Sequence, residues 1–125
     1  MKENELATIV VDLCIKIHRS LGPGLLESVY EDALCYELKN LGMSYTRQKE
    51  IDVIYEGIKM QGGFRADVIV EDELLIELKS IEYILPVHMK ILLTYLKLSD
   101  IKLGLLINFN EALLKNGIKR MVNNL

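Results

Sequence analysis

Residues 102–109 read KLGLLINF, a nearly continuous apolar run. A strand with one face in water alternates apolar and polar residues, so a run like this belongs to a strand covered on both faces. It requires a sheet with a layer on either side, and the rest of the chain supplies helices for those layers. Leu6, Ile9, Val10, Leu13, Ile17 and Leu21 recur at three- and four-residue steps, one face of a first helix. Gly22, Pro23 and Gly24 break it with a tight loop. Leu26, Val29, Tyr30, Ala33, Leu34, Leu38 and Leu41 form a second helical stripe stopped by Gly42, and the two helices should pair as a hairpin.

The period then changes to two. Residues 45–55, 64–70 and 74–79 read as three strands, with turns at Glu56-Gly57 and at residues 71–73, which makes an antiparallel meander. Pro86 opens a third helix over residues 87–98, and the 102–109 strand follows. Residues 111–115 form a short amphipathic segment, and residues 118–122 either an edge strand or a frayed end. At 125 residues the chain is expected to form one domain, 1–125, of α/β class: a mixed central sheet of four to five strands flanked by helices.

A net charge of −3 and a pI near 5.4 exclude holding nucleic acid by bulk charge, so any such contact is local or metal-assisted. The opening MKENELATIV lacks the basic start and apolar run of a signal peptide. No stretch approaches the ~18 uninterrupted apolar residues of a membrane span, so no membrane partner is expected. Cys14 and Cys35 lie in helical patterns with no CxxC and no nearby His, which fits buried thiols in a reducing cytoplasm.

Asp67, Glu77 and Lys79 stand out among the ionisable residues. Glu77 and Lys79 are two apart and leave the same face of one strand. Asp67 has the opposite parity from Ala66, Val68 and Val70, so both strands are expected to aim charge at one side of the sheet. Two ionised carboxylates held together repel unless a cation sits between them. Magnesium suits such a pair, and a neighbouring lysine can orient a water or balance charge on a phosphate. An ordinary solvated strand face with a Glu–Lys pair is the alternative that spacing leaves open.

Larger blocks add to this. GLLESVY at residues 24–30 matches a GxxExxY signature; GFRAD at 63–67 and LIELKS at 75–80 form a second block. Val87-His88, TYLKL at 94–98 and GLLINF at 104–109 form a third, and GIKR at 117–120 a last. In these the chain resembles the GxxExxY protein family of the PD-(D/E)XK nuclease-like superfamily. The resemblance implies a restriction-endonuclease-like core and a nuclease that uses Mg2+ or Mn2+ to hydrolyse phosphodiester bonds in DNA or RNA. It implies Asp67 and Glu77 as metal-binding acids, the Leu78 carbonyl as a further ligand, Lys79 as catalytic lysine and Glu27 as a helix-borne acid near the metal.

The chain departs from the family pattern at Ala66, where proline is frequent, and at Ile91, where a glutamine is usual. Either the glutamine is dispensable, or Lys90 replaces it, or catalysis has lapsed and the fold serves as a nucleic-acid-binding or protein-interaction dimer. Arg65, Lys90 and His88 are candidate substrate contacts; an ion pair is the competing role for Arg65, and a helix cap for His88. The third helix is apolar around most of its circumference, which points to burial on most sides and to a second copy of the chain as partner.

Overall fold

The computed structural model describes residues 2–125. Among these, helices α1 (Glu3–Leu21) and α2 (Glu27–Asn40) precede a meander of β1 (Tyr45–Tyr55), β2 (Ile58–Val70) and β3 (Leu74–Lys79). Helix α3 (Pro86–Ser99) follows, then β4 (Leu103–Asn108), a 3-10 turn at Leu114–Gly117 and β5 (Ile118–Val122). The strands form one sheet in the order β1-β2-β3-β4-β5. β3 and β4 are parallel and the other neighbours antiparallel. Parallel neighbours need a long crossover, and α3 provides it. The architecture is α/β, a mixed five-stranded sheet flanked by three helices, as expected.

Both faces of the sheet are covered. On one, Val70, Ile76, Leu78, Leu105 and Ile107 meet Leu6, Val10, Leu34 and Leu38 of α1 and α2. On the other, Ile69, Leu75 and Leu106 meet Leu92 and Leu96 of α3. All six residues of β4 are buried, which accounts for its lack of alternation. Gly104 lets α3 approach closely: a Cβ there would lie 3.0 Å from the side chains of Leu92 and Leu96.

The elements differ from the sequence expectation in three places. β2 begins at Ile58, so the β1–β2 hairpin runs well beyond β3, which pairs with β2 only at Val68, Ile69 and Val70. Residues 111–115 form bends leading into a 3-10 turn, because so short a segment cannot repay helix nucleation. The tail takes the first of its two expected forms, an edge strand, antiparallel to β4. Helix α3 buries Leu92 and Leu96 alone, and Val87, Ile91 and Leu98 stay exposed, so the expected burial on most sides does not occur within the chain. No helix among the described residues is long and apolar enough to cross a membrane.

Tyr30 fixes the α1–α2 loop. Its ring is fully buried and stacks on Phe109 at 4.2 Å. Its hydroxyl donates to the Gly22 carbonyl at 2.6 Å and accepts from the Leu25 N–H at 3.1 Å. The ring thus anchors the turn that starts α2 and presents Glu27. Tyr30→Phe keeps the stacking but orphans both backbone groups. It should lower stability by about 1–3 kcal/mol, read as a shift in the urea midpoint with an unchanged circular dichroism spectrum.

Candidate active site

The site forms where two ladders fail together. The β2–β3 register runs from Val70 opposite Leu74 to Val68 opposite Ile76 and stops before Asp67. On the other edge, Arg47 pairs with Val68 and Lys49 with Ala66, but Gln48 and Asp67 between them do not pair. Gln48 has φ +49°, left-handed for a non-glycine residue. The strand changes faces here. Val68 and Val70 join the core under α1 and α2, whereas Ala66 and Phe64 join the core under α3. The constant parity expected for Ala66, Val68 and Val70 is therefore wrong, because an irregularity in the ladder re-aims the side chains around it.

Side chains complete the pairing that the backbone drops. The Leu78 N–H donates to Asp67 Oδ2 at 2.8 Å, and the Asp67 N–H donates to Glu77 Oε1 at 3.4 Å. The two carboxylates meet across the fork but open onto different sides. Asp67 lines a cavity of about 380 Å3 with Glu27, Glu31, Gln48 and Leu78, next to α2. Glu77 and Lys79 line a cavity of about 90 Å3 with His88, Ile91 and Tyr95, next to α3. The expectation that both strands aim charge at one side is corrected accordingly: the site threads the splayed edge of the sheet.

A family model of the PD-(D/E)XK nuclease superfamily matches residues 4–121. The chain belongs to that superfamily. No curated protein and no solved structure matches it. The mixed sheet flanked by helices is consistent with the PD-(D/E)XK fold.

Within this PD-(D/E)XK chain the other candidate residues are placed as follows. Glu27, on the first turn of α2, accepts the Ser80 N–H at 3.3 Å, and so touches the residue after Lys79. His88 Nδ1 accepts the Leu85 N–H at 2.8 Å, capping α3, while the ring also lines the Lys79 cavity. Ile91 lines that cavity too. Lys90 is exposed and does not line it. Arg65 is exposed and forms no ion pair among the described residues, which removes the salt-bridge expectation.

Three residues were not anticipated. Glu31, 7% exposed, takes hydrogen bonds from Arg47 at 2.8 and 3.1 Å. The Gln48 amide donates to Glu31 Oε1 at 2.7 Å and to Asp67 Oδ1 at 3.1 Å. Arg47 also pairs with Asp32. Glu31 was within reach of the sequence, since it lies one helical turn beyond Glu27. Nothing in the residue types marks Gln48.

Burial dominates the electrostatics. It pushes the Glu77 carboxyl up to about 8, and the neighbouring Asp67 charge adds to the rise. Asp67 is also raised by burial, while the hydrogen bonds from Leu78 and Gln48 hold it down. Tyr95 is raised by burial first, then by the charges of Glu77 and Asp67. Among the described residues no three His, Cys, Asp or Glu side chains converge into a metal cage. Magnesium does not need one, because it takes one or two carboxylates and keeps its waters. A buried carboxylate, Glu77, and a half-buried one, Asp67, that repel beside the Leu78 peptide fit such a cation.

A raised carboxyl holds its proton more tightly in the folded chain. Its contribution to stability is full below about pH 4.5, the unfolded value, and is lost as pH rises through about 8. Without metal, melting temperature should therefore fall between these limits, by the equivalent of a few kcal/mol. Glu77→Gln should flatten that slope and melt higher than wild type at pH 8. Thermal melts across pH in a chelating buffer check this.

Proposed function

We propose that the chain is a divalent-metal-dependent nuclease of the GxxExxY branch, hydrolysing phosphodiester bonds in DNA or RNA as a single domain. The observation that carries this reading is the meeting of the Asp67 and Glu77 carboxylates at the splayed ladder, with Lys79 two residues beyond Glu77. Asp67 and Glu77, with the Leu78 carbonyl, would hold Mg2+ or Mn2+. Such a cation supplies Lewis-acid activation of water and offsets phosphate charge. Lys79 offers its ammonium to the phosphate oxygens whose charge grows as water attacks. Glu27 completes the acidic wall over Ser80. Arg65, exposed on β2, the ring of His88 and the exposed Lys90 would contact a nucleic-acid backbone. The buried free thiols of Cys14 and Cys35 suit a cytoplasmic setting.

Ile91 favours a second reading, in which catalysis has lapsed and the fold acts as a dimeric binding module. Its side chain is apolar where it borders Glu77 and Lys79, and with Val87 and Leu98 it leaves an exposed stripe on α3. Single- and double-stranded DNA and RNA oligonucleotides, incubated with the chain and Mg2+, separate the two. The nuclease reading expects cleavage that falls about 10²–10³-fold in Lys79→Ala while metal binding persists. Cleavage seen only in Ile91→Gln identifies the lapsed form, and no cleavage by either protein contradicts the nuclease reading. Light scattering tests the dimer: twice 14.3 kDa is expected, and 14.3 kDa removes it.

A further inference from the structure

We propose that Gln48 is a positioning residue of this site, tying Asp67 to the buried Glu31 so that the Asp67 carboxylate is held in the orientation a cation needs. The inference rests on the metal-site reading above and extends it to a residue outside the D…ExK set.

The backbone is distorted at this residue. A glutamine at φ +49° inside a strand sits in a region that side chains disfavour, and such strain persists only where the surroundings impose it. The ladder is also broken here, since Gln48 and Asp67 lie opposite each other without pairing. From this exposed position one nitrogen of the side-chain amide donates to both Glu31 and Asp67.

The chemistry of that amide suits a metal site. Asp67 receives one donor on each oxygen, Leu78 N–H on Oδ2 and Gln48 on Oδ1, which fixes the plane of the carboxylate. Each oxygen keeps a lone pair free. An arginine or lysine in the same place would neutralise Asp67 and compete with a cation. A neutral amide orients the carboxylate and leaves its charge in place. The other end of the tether is firm: Glu31 is buried and held by two hydrogen bonds from Arg47. Groups behind a metal ligand that orient it typically change metal affinity by 10–100-fold.

Glycine at position 48 separates positioning from structure. Gln48→Gly accepts the positive φ at no cost and removes the amide. Gln48→Asn also tolerates that φ, but is one methylene too short to bridge both acids. Manganese titration by calorimetry, together with metal-free thermal melts, is the test, with Glu77→Ala as control. The expected result is Mn2+ affinity about tenfold weaker in both Gln48 variants, each still folded and giving a single cooperative metal-free melt. Wild-type affinity in Gln48→Gly overturns the proposal while leaving the metal site standing, whether or not the variant melts lower. Wild type and Glu77→Ala binding Mn2+ alike, or neither binding it, overturns the metal site itself and this proposal with it.

Discussion

The fold turns on the place where β2 loses its partners on both sides. Strand backbones carry a donor and an acceptor at every residue, and a gap in two ladders at once leaves these groups in need of new ones. Here the Leu78 N–H finds the Asp67 carboxylate and the Asp67 N–H finds Glu77. The acids are therefore part of the sheet's own hydrogen bonding, and their geometry is set by strands rather than by mobile loops. The same gap lets β2 change faces, so that residues on either side of Asp67 serve different cores.

That arrangement has an electrostatic cost. Two carboxylates that are mostly withdrawn from water, with the Asp67 charge raising Glu77 beyond what burial does, are unfavourable when both are ionised. A proton on Glu77 relieves the repulsion at low pH, and a bound cation would relieve it at higher pH. A chain selected only for stability would place apolar residues at such a fork. The surrounding elements hold the acids there regardless. Tyr30 anchors the loop that delivers Glu27 to Ser80, and Asn108, fully buried, clamps Ile81 through both its N–H and its C=O. The segment after Lys79 is thus held from two directions.

The element order and the α/β class were legible because hydrophobic period reports burial directly. The 102–109 run and the three meander strands show it most clearly. What was not legible depends on backbone irregularity or on rotation about a helix. The reversal of parity at Asp67 coincides with a break in the β1–β2 ladder where Gln48 has an unusual dihedral, and glutamine is a residue type that does not announce one. Lys90 and Ile91 differ by about 100° around α3, and only packing decides which of them borders the cavity. The ion-pair expectation for Arg65 failed although Glu50 lies opposite it on β1: both are exposed, and an exposed pair gains little from closing.

The central claim is that a divalent cation belongs between Asp67 and Glu77. Paramagnetic broadening by substoichiometric Mn2+ in an amide correlation spectrum locates a bound ion directly, without any choice of substrate. The account predicts that the amide signals of Asp67, Glu77 and Leu78 disappear first, while those of the β1–β2 hairpin tip persist. Broadening centred on the acidic turn at residues 71–73, or none at all at millimolar Mn2+, would contradict it.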